Sequence, residues 1–283
     1  MMKFLVYIFF RAVVALFSVL SFGAIYRLSD GIAWLLDRVI KYRRGVIEAN
    51  LRRCIPGVPE RDVAILTKGI YQNIADILVE AIKGFSMSRS AFEARYVYSG
   101  TTLPKGSFIL MGSHLSNWEW GVITWPLAFN KKVVGIYKPL TNNYIEQYTA
   151  KRRSQFGHIL ATMYDTRAAF DKYVGADAVF MMLSDQNPTD ATKADWVQLF
   201  GQDTACVQGA DRYARRYQLP VYYFETRRVR RGHYHTTCEL LCDNPSNTQK
   251  GDITSLFMDR LAEGISDSTT DWLWSHRRWK HTR

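Results

Sequence analysis

The chain has 283 residues, 47% of them hydrophobic, enough apolar material for a full core, which excludes an intrinsically disordered protein. A formal charge of +11 points toward anionic partners: nucleic acid, an acidic membrane surface, a phosphorylated lipid or an acidic carrier protein. Cys54, Cys206, Cys238 and Cys242 are widely spread with one C-x-x-x-C pair, so neither a zinc site nor a disulfide framework is indicated and no metal is expected.

Residues 4–25 read FLVYIFFRAVVALFSVLSFGAI, with Arg11 as the one charge. That length is close to the roughly 20 residues of a membrane span. A charge at mid-bilayer costs about 2.5–3.5 kcal/mol, so Arg11 is expected to snorkel toward one end. No A-x-A cleavage site follows, which favours a retained anchor over a removed signal peptide. Arg27, Arg38, Lys41, Arg43 and Arg44 come after it, against Lys3 and the amino group before it. The positive-inside rule therefore divides the chain into a membrane helix, residues 1–26, and a cytoplasmic body, residues 27–283. A helix buried in a soluble protein is the alternative.

Past the anchor, residues 60–83 place Val63, Leu66, Ile70, Ile74, Ile77, Leu78 and Ala81 on one helical stripe. Short apolar runs at 107–112, 132–137, 178–183 and 221–225 read as strands. Helical stretches near 117–129, 143–156, 167–173 and 208–217 lie between them. This alternation predicts an α/β fold, a mixed sheet flanked by helices with one continuous core, and helices from the N-terminal hundred residues beside it.

Within that pattern, FILMGSHLSNWEWG at 108–121 is a buried strand, a turn and a helix start, with Ser116 or Asn117 as the cap. Open α/β sheets bind ligands at the carboxyl ends of their strands, where His114 falls. With His114 in the turn and Glu119 in the first helical turn, the carboxylate could accept the Nδ1 proton and leave Nε2 free as a base. The competing reading is a capping box, Ser116-x-x-Glu119, in which the Glu has no catalytic role.

His114-x-x-x-x-Glu119 after an apolar strand resembles the signature of the glycerolipid and lipid A acyltransferases. Further stretches extend the likeness over nearly the whole chain: RRGVIEANLRRCIP at 43–56, Tyr137-Lys138-Pro139 with Asn142 and Asn143, Asp185-Gln186 and then Leu199-Phe200-Gly201 and Thr204, and WLWSHRRWK at 272–280. Lys138 stands where Arg is usual in that family. Together they look like the late, or secondary, lipid A acyltransferases of the lauroyl and myristoyl transferase type.

The resemblance implies transfer of a fatty acyl group from acyl carrier protein to a hydroxyl of a 3-hydroxyacyl chain on a lipid A precursor, at the inner membrane, with no cofactor. A thioester is already activated, so the enzyme has to deprotonate an alcohol, position it and stabilise an oxyanion. His114 would be the base and Glu119 its orienter, without a covalent intermediate, in keeping with the lack of a G-x-S-x-G motif. Arg152, Arg153 and Arg167 are expected at substrate phosphates or phosphopantetheine. Asp185 is expected to position one of these arginines or to cap Gln186 and Asn187. Trp272, Trp274 and Trp279 are expected to pack onto the body, with no chemical role assigned to His276; His158, His233, His235 and His281 are expected to be structural or exposed. Two rival functions remain at this point. One is a lysophospholipid or glycolipid acyltransferase sharing the His-Glu pair, and the other is a basic membrane-tethered binding protein without catalysis. The basic residues are dispersed and match no nucleic-acid motif, so no nucleic-acid partner is expected.

Overall fold

Runs rich in β-branched and aromatic residues pair into a seven-stranded mixed sheet in the computed structural model, which describes residues 1–100, 103–281 and 283. In chain order the elements are α1 (Met2–Val19), α2 (Phe22–Trp34) with a π-helical extension (Leu35–Ile40), α3 (Arg44–Cys54), α4 (Glu60–Gly84) and α5 (Arg89–Glu93). Then follow β1 (Tyr96–Gly100), β2 (Phe108–Gly112), α6 (Trp118–Ala128), β3 (Lys132–Tyr137), α7 (Asn143–Arg153), β4 (Ile159–Thr162), α8 (Thr166–Tyr173) and β5 (Ala178–Leu183). The chain closes with the hairpin β6 (Asp195–Leu199) and β7 (Gln202–Cys206), then α9 (Gly209–Tyr217), β8 (Val221–Arg230), β9 (His233–Cys242) and α10 (Asp252–Asp267).

The sheet order is β1-β9-β8-β2-β5-β3-β4, and β8–β9 is its antiparallel pair. Strand β2 lies in the middle, parallel to both β5 and β8. Its near-continuous apolar sequence follows from burial on both faces. Ile109 and Met111 join one core cluster with Phe170, Phe180, Phe257 and Trp272. Phe108 and Leu110 face the opposite cluster with Trp125, Tyr222 and Phe224. The expected strands and helices from residue 60 onward form within a few residues of their predicted bounds, except the run at 221–225, which continues to Arg230 as β8.

The N-terminal region departs from expectation. The predicted 22-residue helix is interrupted: Leu20 is extended, and Ser21 begins α2 by accepting from the Ala24 N–H. Helix α1 is still long and apolar enough to cross a membrane, with a mean hydropathy of 2.0. It is not detached from the body, however. Lys3 donates to the Thr141 carbonyl at 3.0 Å, Tyr7 stacks on Tyr144, and Lys83 donates to the carbonyls of Phe17 and Leu20. Its outer face exposes Leu5, Phe9, Leu16 and Val19.

Gly112, the last residue of β2, shows how closely the site is packed from behind. A Cβ there would lie 1.9 Å from the Phe224 ring, which is itself buried against Trp125. Overpacking of this kind costs about 1–3 kcal/mol. Gly112→Ala is therefore expected to lose that much stability in urea unfolding, and Phe224→Leu in the same chain to recover part of it. A loss that Phe224→Leu does not reduce would show that the two residues do not share this space.

Candidate active site

The register of two neighbouring parallel strands builds the centre of the site. Gly112 of β2 pairs with Leu183 of β5, so the residues two positions beyond each strand, His114 and Asp185, emerge side by side. The Ser184 N–H donates to the Gly112 carbonyl at 2.9 Å and carries the alignment past the strand ends. His114 Nδ1–H then donates to Asp185 Oδ1 at 2.7 Å, while the His114 backbone N–H donates to Asp185 Oδ2 at 3.0 Å. The Trp272 indole N–H completes the shell around that carboxylate at 2.9 Å.

The C-terminal segment clamps the same turn. Leu115 forms an antiparallel bridge with Trp272, and the His114 carbonyl accepts from the Leu273 N–H at 3.2 Å. Ser116 sits at φ +53°, its hydroxyl donating to Asp271 Oδ2 at 3.0 Å. That position requires neighbours that hold it, because a β-substituted residue is disfavoured there. Asn117, not Ser116, caps α6: its side chain accepts from the Trp120 N–H at 2.9 Å. No Ser116–Glu119 capping box forms.

Glu119 also differs from its expected place. Its carboxylate receives Nη2 of Arg153 at 3.0 and 2.9 Å, and the Nδ1 proton of His114 goes to Asp185 instead. The reason is geometric: β5 delivers Asp185 beside the imidazole edge, whereas the turn of α6 directs Glu119 toward the end of α7. Arg153, His114 and Glu119 line one cavity of about 730 Å3. Its wall is largely apolar, with Val122, Trp125, Ile136, Leu160 and Met181, and its rim carries Lys138, Lys193 and Arg212. Arg152 is turned away, stacked near the Tyr148 ring, because consecutive residues of a helix point about 100° apart. Arg167 is exposed and lies 3.6 Å from Asp171 on its own helix. Neither reaches the cavity. Asp185 neither positions an arginine nor caps its own turn.

Burial disfavours charge on both members of the dyad, but their mutual attraction outweighs it. The charge and hydrogen bond of Asp185, with the field of Glu119, raise the His114 pKa above its ordinary 6.5. Asp185, against the same desolvation, is held down at about 2 by His114 and the Trp272 N–H. His276 is half-buried, and desolvation lowers it to about 4, which keeps it neutral; its Nε2 accepts the Asn187 N–H at 3.1 Å. His158 lines the cavity as well, with Nδ1–H donating to the Val122 carbonyl. His233, His235 and His281 bond Arg95, Ser99 and the Pro188 carbonyl, outside the cavity wall.

The family model described as bacterial lipid A biosynthesis acyltransferase matches residues 1–281. The chain belongs to that family. It is thus an acyltransferase of lipid A biosynthesis, acting on a lipid A precursor, and the family is membrane-associated in bacteria. No curated protein matches the chain.

Sequence reading missed the Asp185–His114 contact and the Trp272 N–H. The apolar runs at 108–112 and 178–183 carried a signal for the first, since adjacent parallel strands bring their following residues together. For the second, WLWSHRRWK reads as aromatic packing, and nothing local shows where an indole N–H points.

Trp272→Phe isolates that N–H. A hydrogen bond to a charged group contributes about 1.5–3 kcal/mol, so the variant is expected to be less stable by that amount at pH 7. Asp185 is depressed from 3.8 to about 2, so the stability it gives is present above its unfolded pKa and lost as pH falls through the folded one. The gap between wild type and variant should therefore narrow between about pH 4 and pH 2. A pH-independent gap in urea titrations would assign the loss to packing alone.

Proposed function

We propose that the enzyme transfers a fatty acyl group from the thioester of acyl carrier protein to the hydroxyl of a 3-hydroxyacyl chain on a lipid A precursor. The observation that carries this reading is a His–Asp dyad at the polar end of a largely apolar cavity with a cationic rim. Asp185 fixes the tautomer in which Nδ1 carries the proton, and Nε2 of His114 faces the reactants as base.

As the alcohol oxygen attacks the thioester carbonyl, its proton passes to Nε2. A tetrahedral oxyanion forms, and the C–S bond breaks as it collapses. The imidazolium, stabilised by Asp185, returns the proton to the departing sulfur. Both products leave with atoms and charge balanced and no acyl-enzyme. Glu119 holds Arg153 through Nη2, which donates to both carboxylate oxygens, and the guanidinium presents fixed positive charge where the oxyanion develops. The amide of Gln186 reaches Nε2 at 3.3 Å and has to give way to the acceptor alcohol. The same reading places the outer face of α1 in the inner membrane, with the catalytic body on the cytoplasmic side, supported by the exposed apolar side chains of α1 and the basic residues after it.

Mass spectrometry of lipid A from cells lacking the protein is expected to show loss of one secondary acyl chain. Normal lipid A with an altered phospholipid profile would reject this acceptor. The dyad makes its own prediction. Asp185→Asn should reduce kcat by roughly 10²–10⁴. Because neutral His114 is the base, activity rises with pH through its raised pKa, and removing the Asp185 charge should move that acid limb to lower pH. A variant with the wild-type limb and turnover would remove the dyad from the mechanism.

Glu119 and Arg153 should behave as one unit. Glu119→Gln and Arg153→Met are each expected to lower kcat, and the double variant to lose little more than the worse single one. Full additivity of the two losses in steady-state kinetics would show that each acts separately.

A further inference from the structure

Two of the sequence stretches that carry the family resemblance, 43–56 and 272–280, meet on a surface away from the catalytic cavity. Arg43 Nη1 donates to the Ser275 carbonyl at 3.0 Å, and the Asn50 amide donates to the carbonyls of Trp274 and His276, both at 2.9 Å. This junction leaves a concavity of about 380 Å3 lined by Arg43, Arg53, Arg277, Asn50, Gly45 and Trp279. Arg43, Arg53 and Arg277 are each exposed, and among the described residues none has a carboxylate partner, although Glu48 on α3 pairs with Arg44 and Arg52. Three like charges held around one hollow repel one another, and an anion relieves that repulsion.

The backbone entering the hollow is itself constrained. Lys41 and Arg43 both adopt left-handed conformations, at φ +50° and +48°, between the π-helical segment and α3. Non-glycine residues occupy that region only where their surroundings impose it. Immediately before this turn, Trp34, Leu35, Val39 and Ile40 are exposed, with Tyr42 beyond them. An apolar ridge bordering a cationic hollow matches an interface in which hydrocarbon and phosphate lie side by side.

We propose that Arg43, Arg53 and Arg277 bind the phosphate of an anionic phospholipid headgroup while the Trp34–Ile40 ridge enters the adjoining bilayer. The site would be a second membrane contact, separate from α1. It orients the body through the Asn187 side chain, which donates to the Arg277 carbonyl and lines the catalytic cavity on its other side. The proposal does not depend on the acyl donor or on the role of His114.

The test uses the full chain in a neutral detergent, titrated with short-chain phosphatidylglycerol and, separately, with short-chain phosphatidylcholine. Contacts made by α1 contribute to both titrations, so the ratio of the two affinities reports the anionic site. Each basic residue near an anionic surface contributes about fivefold. Arg53→Ala/Arg277→Ala is therefore expected to reduce the ratio by roughly twenty- to thirtyfold, and Arg53→Lys/Arg277→Lys by only a few-fold. Lys172→Ala/Arg216→Ala, equal in charge but on α8 and α9, should leave it unchanged. Quenching of tryptophan fluorescence by acyl-brominated lipid should decrease in Trp34→Phe. An unchanged ratio in Arg53→Ala/Arg277→Ala, or no Trp34 contribution to quenching, overturns the proposal. So does displacement of the lipid by inorganic phosphate at matching concentration, which would mark a site for soluble phosphate. Loss of acyl carrier protein binding with an unchanged lipid ratio would assign the hollow to the carrier.

Discussion

The in-register pairing of β2 with β5 is the constraint on which the rest of the site depends. It brings His114 and Asp185, 71 positions apart in the chain, to a 2.7 Å hydrogen bond. Because side chains alternate between faces along a strand, a one-residue slip would turn one partner to the opposite side of the sheet. Register is fixed by burial on both faces: Phe108 and Leu110 pack into one core, Ile109 and Met111 into the other. The positional accuracy of the dyad is thus a property of the hydrophobic core.

A second layer of polar contacts holds α6 in place from behind. Glu80, fully buried on α4, accepts from Tyr26 at 2.9 Å, Tyr234 at 2.6 Å and the Asn117 amide at 2.6 Å. Burial raises its pKa, and these donors oppose that shift. One turn earlier, Asp76 accepts from Ser29, Arg228 and Arg231. A buried carboxylate without partners would be costly, whereas this set is densely bonded. It links α2 and the β8–β9 hairpin to the cap of the helix that carries Glu119. The N-terminal helices are therefore coupled to the active site through hydrogen bonds as well as through packing.

What the sequence disclosed follows from which interactions are local. Apolar periodicity located α4, β2, β3 and β5, because burial imposes its period directly on the chain. The turn position of His114 and the first-turn position of Glu119 were legible for the same reason. The partners of those residues were not. Glu119 could reach several donors from one helical turn, and the choice of Arg153 depends on where α7 ends. The break at Leu20 was hidden because the apolar sequence on either side, ALFSVLSFGAI, satisfies a lipid-facing and a protein-facing helix equally, and Ser21 is a modest cap signal. Asp76 and Glu80 were masked by lying on an otherwise amphipathic stripe, where acidic residues read as solvent-facing.

The distribution of charge gives these separate features a common physical basis. Most arginines near the core have acidic partners, including Arg228 and Arg231 with Asp76 and Arg153 with Glu119. Their charge is locally balanced, so it acts at hydrogen-bond range and not as a long-range field. The excess behind the net +11 consists of side chains such as Arg53, Arg277 and Lys138, which the described residues leave without carboxylates. Unneutralised cations of this kind attract anions over about 8 Å at physiological ionic strength, a distance spanning a headgroup but not the protein. The fold thus separates paired arginines, which hold neighbouring elements in fixed geometry, from unpaired ones, whose charge stays available to anions.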